Sequence, residues 1–159
     1  MILKIENYRP SNLDVILDFL NQNTKLYTED SIFGGEGKTT YTNSGKLHID
    51  YPEIFGEFCS FVLSNFEEEY IFLDLWSNVY SKGSFVKPHS HFSEEYPVGK
   101  NGVFYIKKPK DSGNLVVENQ VIDCEENDIV IFGNSDMHWS QPNESNEDRI
   151  ILSFNIIPI

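Results

Sequence analysis

The sequence of 159 residues contains no alanine, two arginines, two cysteines and four histidines. Each shortage excludes something. Twelve basic side chains stand against twenty-five acidic ones, for a formal charge of −13. Phosphate backbones need concentrated Lys and Arg, so nucleic acid is not an expected partner. Cys59 and Cys124 lie far apart without CxxC or metal-ligand spacing, which favours two free thiols in a reducing compartment over a disulfide. No run of about 18 apolar residues is present to cross a bilayer, and "MILKIENYRP" lacks the apolar stretch of a signal peptide. The expectation is a soluble, cytoplasmic protein with no membrane partner. "GGEGKTT" tempts the eye as a phosphate loop, but the glycine required five positions before Gly37 is Ile32 and no buried strand leads into it.

What is present is a chain able to bury a core: its length suits one domain, and twelve Phe and eight Tyr are spread along it. A single domain over 1–159 is expected, with a helical and loop part (1–70) and a β core (71–159). In "SNLDVILDFLNQN", Ser11 stands three residues before Asp14, and Leu13, Ile16, Leu17 and Leu20 follow at helical spacing. A capped amphipathic helix over residues 11–22 is predicted. Residues 27–50 are rich in Gly, Thr, Ser and Asn and read as mobile loop or short edge strands. A second helix starts at Pro52, with Ile54, Phe55, Phe58, Phe61 and Val62 on one face, and with Phe66 as a candidate to extend it. From Tyr70 onward the pattern turns to about eight short β-rich runs separated by turn residues. That count points to a β-sandwich or jelly roll, with the two helices covering one sheet.

Two histidines fall one residue apart in "SFVKPHSHF". Residues two apart in a strand project from the same face, so His89 and His91 can reach one metal ion. His138, in "SDMHWSQP" on the seventh run, supplies a third imidazole; His48 in the Gly/Thr-rich loop reads as a surface residue. Three neutral imidazoles suit iron, copper, zinc or nickel. Imidazole must be neutral to ligate, so affinity is expected to fall below the ordinary histidine pKa of about 6.5. Arg149 opens the apolar last run "RIILSFNII". A cation there is most often an ion pair; its functional alternative is a clamp for a carboxylate.

The series "WSNVYSKGSFVKPHSH", "GVFYIKKP", "GNLVVEN", "DIVIFGNSDMHWSQPN" and "RIILSFN" resembles the small 2-oxoglutarate- and Fe(II)-dependent oxygenases of phage and bacteria, relatives of the prolyl hydroxylases. The resemblance covers residues 71–157 and implies a mainly β, double-stranded β-helix fold of the jelly-roll or cupin type. It implies Fe(II) held by His89 and His138, and Arg149 on the distal carboxylate of 2-oxoglutarate. Asn78 and Tyr80 become candidate hydrogen-bond donors to that cosubstrate. The implied activity is hydroxylation of a substrate with O2 and 2-oxoglutarate, releasing succinate and CO2. Phe85, Phe104 and Trp139 are expected to wall the site from water.

Two positions depart from the family pattern. His91 occupies the place of the family's Asp or Glu, so the third ligand is either His91 or a nearby acid, Glu94 or Glu95. Ile151 stands where many relatives carry a hydroxyl, with Ser153 further along the same face. Two other readings share the barrel: a three-histidine, cupin-type dioxygenase that uses no keto acid, and a non-enzymatic jelly-roll binding module.

Overall fold

The computed structural model describes residues 1–159. The N-terminal part runs β1 (Leu3–Ile5), α1 (Leu13–Gln22), a 3-10 turn (Thr24–Leu26), β2 (Thr28–Glu29), β3 (Phe33–Gly34), β4 (Lys38–Thr39), α2 (Leu47–Asp50) and α3 (Pro52–Leu63). Eight strands follow: β5 (Tyr70–Tyr80), β6 (Phe85–Val86), β7 (Lys100–Lys107), β8 (Leu115–Val117), β9 (Gln120–Ile122), β10 (Ile129–Gly133), β11 (His138–Ser140) and β12 (Arg149–Pro158). Each of the eight runs expected from the sequence overlaps one of them.

A seven-stranded sheet has the order β1-β10-β7-β12-β5-β4-β2, with a three-stranded sheet β11-β8-β9 and a two-stranded pair β3-β6. All of their pairings are antiparallel. Side chains alternate across a strand, so each residue of the large sheet is committed to one of two faces. Leu75, Phe104, Ile106, Ile129, Ile131, Leu152, Phe154 and Ile156 pack on one face against Ile16, Leu20, Phe55, Phe58 and Val62 of α1 and α3. The expected cover of two helices on one sheet is therefore present. On the other face Tyr80, Val103, Tyr105, Val130, Phe132 and Ile151 meet Leu115, Val117 and Ile122 of the small sheet, closing a jelly roll. Gly102 belongs to the helix-covered face, where a Cβ would overlap the Phe154 ring.

Differences from the sequence reading have local causes. The helix α1 begins at Leu13, and its capping residue Asn12 makes no side-chain cap bond. Ser11 instead places its hydroxyl 2.8 Å from both carboxylate oxygens of Glu57 on α3, a charge-assisted partner that outcompetes the local capping box. Strand β1 went unrecognised because three residues are too few to show a period; it pairs Leu3 with Ile131. Residues 27–50 are not mobile loop throughout: β4 pairs Thr39 with Asn78, and Thr39, Thr40, Ser44 and Leu47 are buried. His48 is half-buried beside Phe72, at 5.7 Å between ring centroids, and is not a surface residue.

Candidate metal centre and anion pocket

His89, His91 and His138 converge with one ligand atom each, all within 4.8 Å of one another. The histidine pair does not sit on a regular strand, since β6 ends at Val86. Main-chain pairing aligns them instead. His89 and His138 exchange N–H to carbonyl bonds of 3.0 and 2.9 Å, and the His91 N–H donates to the Asn134 carbonyl at 2.9 Å. The backbone remains extended enough for the two-residue spacing to work as expected.

Every Nδ1 of the trio is engaged. It meets the Lys87 carbonyl at 2.7 Å in His89, the Asp136 carbonyl at 3.0 Å in His138, and Asn155 Oδ1 at 2.8 Å in His91. Carbonyl oxygens only accept, so each Nδ1 carries the proton and each Nε2 is left with its lone pair. Asn101 lies close enough to His91 to act on its proton but makes no well-formed hydrogen bond with it. Burial holds all three imidazoles below their ordinary pKa, and His138, with the other two rings beside it, is pushed down to about 3. Neutral imidazole thus persists below pH 6.5 in the folded chain, and the expected loss of metal affinity moves to lower pH. The donor set fits a borderline divalent ion such as Fe(II), Ni(II) or Zn(II).

The second charged element is Arg149, 1% exposed at the start of β12. Its Nη1 donates to the main-chain carbonyls of Ser112 and Gln141, and its guanidinium carbon lies 4.1 Å over the Tyr80 ring. No carboxylate pairs with it: the chain's ion pairs join Lys4 with Glu6 and Asp128, and Lys46 with Asp74. Nη2 is buried without a partner. Gly113 explains the seat. Its φ of +86° is open to glycine, and a Cβ there would come within 2.8 Å of Arg149 Nη1. Asn78 donates to the Tyr80 hydroxyl at 3.3 Å, while its own Oδ1 is buried and unpartnered.

One cavity of about 520 Å³ joins these elements, lined by the three histidines, Arg149, Asn78, Tyr80, Tyr105, Trp76 and Asn101 among others. The sheet register lays out its wall in rows. Tyr80 faces Arg149; Asn78, Ile151 and Tyr105 form the next row, then Trp76, Ser153 and Val103, and finally Asp74, Asn155 and Asn101. Register shifts between Ile150 and Ile151 against β7, and between Asn155 and Ile156 against β5, bracket the last three rows. Bulges at such places re-aim side chains. Asn101, 2% exposed, has neither amide atom paired.

All six residues singled out in the sequence therefore line one cavity. Glu94 and Glu95 are exposed and outside the histidine cluster. The expected aromatic walls are not the actual ones. Phe104 packs under the helices, and neither Phe85 nor Trp139 lines the cavity; Trp76, Tyr80, Tyr105 and Phe132 do. Sequence reasoning missed Tyr105, Asn101 and Asn155, although strand alternation from Arg149 already assigns Asn155 to its face. Ser112 and Gln141 act through carbonyls, which carry no side-chain signal.

No protein-family model and no curated protein sequence matches the chain. Solved structures do. HygX from Streptomyces hygroscopicus with nickel, 2-oxoglutarate and hygromycin B bound superposes with a TM-score of 0.71 at 12% identity, covering 99% of this chain and 82% of that one. A Pseudomonas putida prolyl-4-hydroxylase gives 0.64 at 12% identity, covering 99% and 92%. The 2OG complex of the viral collagen prolyl hydroxylase from Paramecium Bursaria Chlorella virus-1 gives 0.62 at 14% identity, covering 99% and 96%. The chain has the fold of the 2-oxoglutarate/Fe(II) oxygenases.

Proposed function

We propose that the protein is a non-haem Fe(II) dioxygenase that couples O2 and 2-oxoglutarate to the hydroxylation of a substrate, releasing succinate and CO2. The observation that carries this reading is Arg149. A guanidinium buried with no carboxylate costs several kcal/mol, and this one keeps an unpaired Nη2 in a cavity it shares with three neutral imidazoles. A dianion that bridges a cation and a metal site satisfies both. His89, His91 and His138 would hold Fe(II) through Nε2, and the ion would supply O2 activation and oxidative decarboxylation of the keto acid.

The chain's own residues bind and orient. Arg149 takes the distal carboxylate, its fork held by the carbonyls of Ser112 and Gln141 and by the Tyr80 face. Asn78 and Tyr80 border that carboxylate and complete its hydrogen bonds. Trp76, Tyr105 and Phe132 keep water from the reacting atoms. Asn101 stands in the row of Asn155, six residues along β12 from Arg149, or about 20 Å at strand rise. Its unpaired amide lines the cavity on the His91 side, where it is available to the substrate. The partners are thus one small-molecule cosubstrate and one substrate with hydrogen-bonding groups.

The all-histidine donor set also favours a second reading, a three-histidine dioxygenase that needs no keto acid. Incubation with Fe(II), O2 and 2-oxoglutarate separates the two. Succinate formed above a metal-free control supports the first reading, and turnover of 2-oxoglutarate no faster than in that control removes it.

A further inference from the structure

His91 stands where the resemblance places a carboxylate, yet a carboxylate is close by. Asn155 Oδ1 accepts from His91 Nδ1 at 2.8 Å, and Asn155 Nδ2 donates to Asp74 Oδ2 at 2.9 Å. The other oxygen, Asp74 Oδ1, faces Lys46 Nζ at 3.2 Å. Direction matters in this chain. A carboxylate only accepts, so Asp74 fixes the amide with its NH2 toward β5 and its oxygen toward His91. That oxygen in turn accepts only from a protonated Nδ1, which leaves the His91 lone pair on Nε2, the ring nitrogen free to ligate.

The backbone is arranged for this contact. Asn155 pairs with Asp74 and Ile156 with Phe72, so Leu73 is an extra residue with no partner on β12. From Arg149–Tyr80 down to Asn155–Asp74 the two strands keep one register, so alternation sets the Asp74 carboxylate on the cavity face beside Asn155, and the bulge begins only after that pair. His89 and His138 need no such device, because their Nδ1 atoms meet main-chain carbonyls that cannot reverse polarity. Only His91 depends on an amide, whose two ends are interchangeable until something orients them.

We infer that Asn155 and Asp74 are positioning residues that set the tautomer and direction of His91 and so make it the third metal ligand. The inference rests on the three-histidine metal reading. Hydrogen-bond partners of ligating histidines typically change metal affinity by about 10- to 100-fold when removed. Asn155→Leu is expected to weaken Mn(II) binding within that range, and Asp74→Leu to weaken it less. In Asp74→Asn combined with Asn155→Asp, the carboxylate at 155 still accepts from His91 Nδ1 and now also accepts from the amide at 74, so the 155–74 bond is kept with its direction reversed and most of the affinity should be recovered.

The test is Mn(II) titration of folded wild type and these variants, with nitrogen-15 correlation spectra of the metal-free His91 ring. The expected result is an Nδ1–H ring in wild type and in the double variant, and mixed tautomers with weaker binding in Asn155→Leu. Equal Mn(II) affinity and an unchanged His91 tautomer in Asn155→Leu would overturn the inference alone. A wild type that binds no Mn(II) overturns the metal reading and this inference with it.

Discussion

The two faces of the seven-stranded sheet are built from the same strands and have opposite chemistry. On the helix-covered face, Phe58, Phe104, Phe154 and their neighbours are wholly apolar and fully buried. On the cavity face, Arg149, Asn78 and Asn101 are buried with polar atoms that nothing in the chain satisfies. Leaving a buried donor or acceptor unmade costs about 1–3 kcal/mol. One face stabilises the fold, and the other holds unpaired groups that a ligand can use. On the proposed function, a metal and a keto acid would supply what the second face lacks.

That contrast can be broken at defined points. The largest effect is expected from His138→Ala, which removes one of three ligands and should abolish Fe(II) or Mn(II) binding while the far-ultraviolet circular dichroism stays native; calorimetric titration checks it. Phe58→Ala acts on the opposite face. It should lower unfolding free energy by about 3–5 kcal/mol in urea denaturation, while the remaining folded protein binds Mn(II) as wild type does. If Phe58→Ala weakens the metal site as much as the fold, the two faces are not independent.

The third prediction concerns pH. The folded histidines resist protonation, with His138 at about 3, whereas unfolded imidazoles take up protons below about 6.5. The unfolded chain therefore binds more protons between those values, and the histidine contribution to stability is lost as pH falls through that window. Urea midpoints of metal-free protein should drop from pH 6.5 toward 4, with His138→Gln flattening the slope. The smallest effect is at the thiols. Burial pushes Cys59 and Cys124 up to about 12, so iodoacetamide at pH 8 should label neither until the protein is unfolded.

Much of this was legible in the sequence because it depends on local periodicity. The eight β runs, the apolar faces of α1 and α3, and the same-side pair His89 and His91 all follow from spacing. Arg149 stood out through the rarity of arginine. What was not legible depends on register. Asp74 opposes Asn155 through the cross-strand register that starts at Tyr80 and Arg149, and Phe104 faces the helices while Tyr105 faces the cavity. A one-residue shift exchanges those roles. Ser11 was misread for a related reason: its partner Glu57 lies on another helix, beyond the reach of a local capping rule.

The central claim is that Arg149 and the three histidines hold one molecule of 2-oxoglutarate between them. Anaerobic titration of the Fe(II) protein with 2-oxoglutarate tests it most directly, through the metal-to-ligand absorption band. Wild type should develop a saturating band, and Arg149→Leu should bind Fe(II) normally yet require more cosubstrate by about 2–5 kcal/mol of affinity, with Arg149→Lys in between. A band that saturates at the same concentration in wild type and Arg149→Leu, or no band in either, would contradict the account.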